Sequence, residues 1–248
     1  MEIGIIYKKE KIAIKNKGMV WVDIIKLSSK DFPHLKKFVL KNYMQIKDKN
    51  HFIIDDIDTE LPFLLKENEG LVFGIKINGE LVAIQAINFN KNDRLNFCKL
   101  IDNYNRRDSI MEIGWAMVDK YYQGNGFSIK LMRYLEKEAF QKTQNEICLA
   151  TVHPHNINSL FVFFKAGYVG YKILQYYGKE RIFLLKNVNH EIYIDYHTTV
   201  SASNNNFHLP TLPFFQDYVC FNIQKERHEY KFLFAKAINN PTLEHNTN

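Results

Sequence analysis

The chain has 248 residues, 46% of them hydrophobic, which is enough for one substantial core with an appended piece. No apolar run approaches the roughly 18 residues of a membrane span, and residues 1–18 alternate apolar side chains with Lys and Glu rather than building a secretory signal, so no membrane partner is expected. The net charge of +6 is concentrated at the start, where residues 1–50 hold 12 Lys against 5 acids, an excess of 7. Lys8, Lys9, Lys11 and Lys15 interleave with apolar residues as a solvated strand face does, which argues against a nucleic-acid partner and leaves a surface suited to an anionic ligand. Cys98, Cys148 and Cys220 are far apart, odd in number and free of any ligand spacing, the pattern of free thiols in a reducing cytoplasm.

In chain order, two strand-like runs open the sequence, Ile3–Tyr7 and Lys11–Ile14, and a third covers Val20–Leu27. Ser28-Ser29 then offers a helix cap, and apolar residues at helical spacing predict a helix over Asp31–Tyr43. A second short helix fits Thr59–Lys66. Leu71–Ile77 and Leu81–Phe89 flank Asn78-Gly79, a strong hairpin signal. After the polar connection around Asn103–Arg107, Ile110–Val118 reads as a strand and Phe127–Gln141 as a helix with Ile129, Leu131, Met132, Leu135 and Ala139 on one side. Ile147–Val152 is a buried strand, Ile157–Ala166 a helix, and Val169–Tyr176 and Arg181–Leu185 pair across a tight turn. This order gives an α/β (α+β) class with a mixed, mostly antiparallel sheet flanked by helices. Residues 1–186 are expected to form this domain and residues 187–248 a C-terminal extension. Alternation at Tyr193–His197 and Tyr218–Ile223 suggests added strands there, and a disordered tail is expected from about residue 239. Covering a substrate site and forming a homodimer are both open roles for the extension.

The segment that carries chemistry is the strand, loop and helix start from Glu112 to Met132. Two glycines in the loop allow close approach of backbone to ligand, and the free N–H groups at a helix start form a site for a pyrophosphate. It lacks the Gly-Lys-Ser/Thr of a Walker loop and the third glycine of a Rossmann fingerprint. Gln123-Gly124-Asn125-Gly126-Phe127-Ser128 resembles instead the acetyl-CoA motif of the GNAT superfamily of N-acetyltransferases, Gln/Arg-x-x-Gly-x-Gly/Ala, with Ser in the last small position. Asn156, Ser159, Phe163, Gly167 and Tyr168 resemble a second motif of that family, and the element order is similar from about residue 20 to 185.

The resemblance implies the GNAT fold, with acetyl-CoA as co-substrate, no metal, and acetyl transfer to a primary amine on a small molecule or peptide. It implies that the backbone of Ala116, Met117 and Val118 runs along the pantetheine arm. Gln123, Gly124, Asn125, Gly126, Phe127 and Ser128 would hold the pyrophosphate, and Asn156, Ser159 and Phe163 would line the cofactor. Lys130 and Arg133 are further candidates for charge near the phosphates. An amine is protonated near neutral pH, so a base must take its proton. Glu112 occupies a position that resembles the catalytic base of the histone-acetylating branch, and a carboxylate within an apolar strand must be paired, hydrated or functional. The family's tyrosine acid is Phe163 here. Tyr168, Tyr122 and Tyr121 are the phenols available to replace it, and Tyr168 enters the candidate catalytic set beside Glu112. The His153-x-His155 pair has no third ligand nearby, so no metal site is expected. Asp55, Asp56, Asp58 and Glu60 either attract a cationic amine or serve the start of the helix that follows. A non-catalytic acyl-CoA-binding module and a transferase of longer acyl chains remain as alternatives.

Overall fold

The computed structural model describes residues 3–52, 56–90, 110–176, 178–188, 191–203, 218–227 and 229–238. The expected connection around residues 103–107 and the expected tail from residue 239 lie outside the described residues. Contacts divide the chain into two units, residues 1–91 with 111–145, and residues 92–110 with 146–248.

In the first unit β1 (Ile5–Ile14), β2 (Gly18–Leu27), β3 (Gly70–Ile77), β4 (Glu80–Asn88) and β5 (Ile110–Val118) pair in sequence order, each antiparallel to the next. The two opening runs expected at Ile3–Tyr7 and Lys11–Ile14 are therefore one strand. Its ladder with β2 passes through Lys8, Lys9 and Glu10, with one irregularity between Ile6 and Lys8. The polar residues do not break it because β1 is an edge strand with a largely exposed face. β3 is buried along its whole length, as a central strand should be. Asn78 and Gly79 turn it into β4 with φ values of 50° and 82°, the positive pair that a tight hairpin requires.

Helices α1 (Phe32–Tyr43) and α2 (Ile57–Leu64) bury Leu35, Phe38, Val39, Leu61 and Leu64 against one sheet face, where Ile25, Leu27, Val72, Ile84, Ala86 and Met117 meet them. Helix α3 (Phe127–Thr143) packs on β3 and β4 through the stripe Phe127, Leu131, Met132, Leu135 and Ala139. The step from β2 into α1 is fixed by Asp31, which is 3% exposed. Its carboxylate accepts from the Gly4 N–H (2.9 Å), the Ser28 N–H (2.8 Å) and the Ser28 hydroxyl (2.8 Å).

In the second unit β6 (Ile147–Val152), β7 (Val169–Tyr176), β8 (Lys179–Asn187), β9 (Ile194–Ser203), β10 (Tyr218–Glu226) and β11 (Glu229–Ala237) follow the spatial order β6-β8-β7-β10-β11-β9. Helix α4 (Ile157–Lys165) connects β6 to β7. The strands suggested after residue 187 are present, and β10 joins β7 at Cys220 opposite Gly170. A Cβ at Gly170 would stand 2.9 Å from the Cys220 Cβ, so glycine is what lets the added strands approach.

Burial alone pushes the Asp31 carboxyl up, but the bonds from Gly4 and Ser28 outweigh it and hold it below its ordinary 3.8. This stability is present above pH 3.8 and is lost as pH falls through the depressed folded value. Asp31→Ala is expected to lower stability by about 2 kcal/mol at pH 7. Denaturant melts should show the gap from wild type shrinking on acidification below the ordinary carboxylate range.

Candidate active site

The site begins where β5 leaves its ladder with β4. Ala86 pairs with Gly114 and Ile84 with Met117, so Trp115 and Ala116 together stand opposite the single residue Gln85. This is a β-bulge, and Trp115 sits in it with φ 48°, an uncommon value for a bulky side chain. The run Ile110–Val118 is expected as a regular strand, and Gly114 inside it is the signal that announces a bulge. Ala116 and Val118 keep some exposure, whereas Met117 lies in the core beneath α1 and α2.

Beyond Val118 the chain is held by its own side chains. Asp119 is buried, accepts from the Tyr121 N–H at 3.0 Å and pairs with the Lys41 ammonium at 2.9 Å. Gln123 Nε2 donates to the Val118 carbonyl at 3.2 Å and Asn125 Nδ2 to the Tyr122 carbonyl at 2.9 Å. Gly124 and Gly126 have φ values of 79° and 74°, with open space where a Cβ would stand, so the backbone dihedral and not crowding requires glycine. Gly126 precedes the first turn of α3 with no side-chain cap and no acid in that turn. The first intrahelical donor is the Lys130 N–H, to Gly126 O at 3.0 Å. The N–H groups of Phe127, Ser128 and Ile129 therefore have no acceptor within the helix. Phe127 itself is buried and stacks on Tyr122 at 6.4 Å. A curled loop of N–H groups at an uncapped helix start, with no carboxylate in the first turn, fits a phosphate ester. Lys130 is committed elsewhere, to Glu10 of β1 at 2.8 Å.

Glu112 pairs in the backbone ladder with Asn88, on the sheet face that also carries Ala86 and Ile84 toward α1 and α2. The residue keeps some exposed surface, yet its carboxyl is desolvated. Desolvation first, and the charge of Glu60 on α2 second, push it up to about 8. Among the described residues no Lys or Arg forms an ion pair with it, so the structural reading of a paired glutamate finds no partner. The neighbouring acids have local duties. Asp56 caps α2 through the Asp58 and Thr59 N–H groups, and Asp58 pairs with Lys36. Asp55 lies outside the described residues.

In the second unit Asn156 caps α4, its Oδ1 accepting from the Ser159 N–H at 3.3 Å. Phe163 is buried against Tyr168, with ring centroids 5.0 Å apart. Tyr168 is 1% exposed and lies under the Lys186 ammonium, so its ring is part of the core. His153 and His155 stand 5.5 Å apart, and the His155 N–H donates to His153 Nδ1. No group of three or more His, Cys, Asp or Glu side chains clusters as metal ligands do among the described residues.

The sequence profile of the Acetyltransferase (GNAT) family matches residues 21–168, more than half of the chain. No curated protein sequence matches. A GNAT-family acetyltransferase from Streptococcus pneumoniae superposes with TM-score 0.51 at 16% identity, covering 67% of this chain and 99% of that one. The GNAT domain of S. lividans PAT gives 0.51 at 16%, covering 72% and 96%. The putative acetyltransferase yncA of Salmonella typhimurium, solved with acetyl-CoA, gives 0.51 at 14%, covering 71% and 98%. These likenesses establish the fold, and with the profile match the chain belongs to the GNAT acetyltransferase family.

A carboxyl that ionises near 4.5 unfolded and near 8 folded gives up its proton first in the unfolded chain, so it lowers stability as pH rises between those values. Glu112→Gln is therefore expected to raise the melting temperature relative to wild type at pH 8 and to leave it nearly unchanged at pH 4. A glutamate stabilised by an ion pair would show the opposite sign. Gly126→Ala, forced into the left-handed region, is expected to cost about 1–2 kcal/mol, measurable by urea denaturation.

Proposed function

We propose that the protein is an N-acetyltransferase that moves the acetyl group of acetyl-CoA to a primary amine by direct attack. The observation that carries this reading is Glu112, a desolvated carboxyl without an ion-pair partner among the described residues, on the strand that runs into the phosphate-fitting loop. In this reading the loop N–H groups from Gln123 to Ser128 hold the pyrophosphate. Glu112 takes a proton from the incoming ammonium, and a carboxyl poised near 8 is well matched to do so at neutral to mildly basic pH. The amine nitrogen then forms its bond to the thioester carbonyl carbon while the carbon–sulfur bond breaks. The thiolate leaves with the electron pair and takes up the second proton that the nitrogen sheds as the amide forms. A thiol of pKa about 8.5 leaves tolerably without a dedicated acid, and the reading leaves Tyr168 in its packing role. Asn156 and Ser159 order the start of α4, and Phe163 supports Tyr168.

A second reading, an acyl-CoA-binding module without turnover, is favoured by one feature: phenylalanine stands at position 163, where the family has its acid.

Thiol release from acetyl-CoA across polyamines, amino acids, amino sugars and lysine peptides separates the two. Amine-dependent turnover that falls by about 10²–10⁴-fold in Glu112→Gln is expected. Tight acetyl-CoA binding with no amine raising thiol release would make the binding module the correct reading. In the active protein kcat/KM is expected to rise with pH through about 8, and Glu60→Gln should move that limb to lower pH, because it removes a like charge that raises Glu112. The amine's own titration would not move with Glu60, so an unmoved limb would assign it to the substrate.

A further inference from the structure

The turn between β1 and β2 lies before the segment matched by the family profile, and it rests on the phosphate-fitting loop. Three residues, Lys15, Asn16 and Lys17, make the turn. It is closed by the Lys17 N–H donating to the Ile14 carbonyl at 2.9 Å, with φ 64° at Asn16 and 72° at Gly18. The Lys15 N–H donates to Asn125 Oδ1 at 2.8 Å, while Asn125 Nδ2 donates to the Tyr122 carbonyl, so one amide side chain ties the turn to the loop. The Lys17 ammonium stands 3.1 Å from the Tyr122 hydroxyl and 4.2 Å above the centre of its ring. Tyr122 in turn stacks on Phe127, the first residue of α3. Of the lysines further along β1, Lys8 stands 3.6 Å from Glu10 and Lys9 stands 3.8 Å from Asp23, while the Lys11 ammonium lies 5.2 Å from the centre of the Trp21 ring. Lys130 on α3 pairs with Glu10. Among the described residues Lys15 and Lys17 form no ion pair with a carboxylate.

We propose that the β1–β2 turn is a second phosphate-contacting element of the acetyl-CoA site, with Lys15 and Lys17 supplying the cationic contacts that the uncharged loop N–H groups and Lys130, held by Glu10, do not. This rests on the acetyl-CoA reading given above. The partner chemistry is a phosphate ester at the nucleotide end of the cofactor, either the pyrophosphate or the phosphate on the ribose. The turn binds and orients, and takes no part in the proton transfer at Glu112.

The test is calorimetric binding of CoA, 3′-dephospho-CoA and S-acetylpantetheine to the full chain carrying Lys15→Gln, Lys17→Gln, both, or Lys17→Arg. Lys9→Gln and Lys11→Gln serve as charge-loss controls. The double variant is expected to bind CoA about tenfold more weakly, with a smaller salt dependence, while Lys17→Arg and the controls stay within about twofold of wild type. S-acetylpantetheine, which has neither the pyrophosphate nor the ribose phosphate, should bind wild type and double variant alike. In steady-state assays KM for acetyl-CoA should rise with kcat and the amine KM held. If dephospho-CoA erases the difference, the ribose phosphate is the contact. If the difference persists, the pyrophosphate is, and either result supports the proposal. A double variant that binds CoA like wild type overturns it, as does an equal loss toward S-acetylpantetheine, which would mean a structural effect. Wild type that binds no CoA at all overturns the acetyl-CoA reading itself.

Discussion

One backbone irregularity sets the geometry of β5: two of its residues, Trp115 and Ala116, face one residue of β4. In a regular strand, side chains five positions apart point to opposite faces. The extra residue changes that parity, so Glu112 and Met117 both belong to the face covered by α1 and α2, opposite Asn88 and Ile84. Trp115, with φ 48°, packs its ring against Phe52 at 5.7 Å and closes that face. The opposing residue, Gln85, is fully buried, and among the described residues its side-chain amide has no hydrogen-bond partner.

The acids of the first unit divide by what they touch. Asp31 and Asp119 are buried but satisfied, the first by three donors and the second by Lys41 and the Tyr121 N–H, and both are held below the ordinary carboxylate range despite burial. Asp56 and Asp58 do capping and surface pairing at the start of α2. Among the described residues Glu112 has no compensating donor, and desolvation moves it the other way. Burial is common to Asp31, Asp119 and Glu112; the presence or absence of hydrogen-bond donors decides the sign. That contrast separates structural carboxylates from a candidate base within one sheet, without reference to any other protein.

Local chemistry made the loop legible. Gly124 and Gly126 are the residues that tolerate φ near 75°, and the apolar spacing of α3 follows directly, so strand, loop and helix could be read from a dozen residues. The Asn78-Gly79 hairpin was legible for the same reason. What could not be read depended on distance or on packing. Lys15 and Asn125 are 110 residues apart and meet through a backbone donor, which no side-chain pattern advertises. The two opening runs merge into β1 because an edge strand accepts Lys8 to Glu10 on its outer face. Tyr168 is a core ring and not an open phenol because Phe163 and Lys186 enclose it, and an aromatic residue after a helix looks the same in sequence either way.

The basic balance of the first fifty residues also changes meaning once placed in space. Lys8, Lys9, Lys26, Lys36 and Lys41 each have a carboxylate within 4 Å, at Glu10, Asp23, Glu67, Asp58 and Asp119. Apart from Lys41–Asp119, whose carboxylate is buried, exposed pairs of this kind add little stability, typically below about 1 kcal/mol each. Their effect is on the field: they cancel charge along the flanks of the sheet and helices. Among the described residues, five of the 12 early lysines are paired in this way, and Lys15 and Lys17, which are not, sit at the turn docked on the anion-fitting loop, where a polyphosphate would meet positive charge.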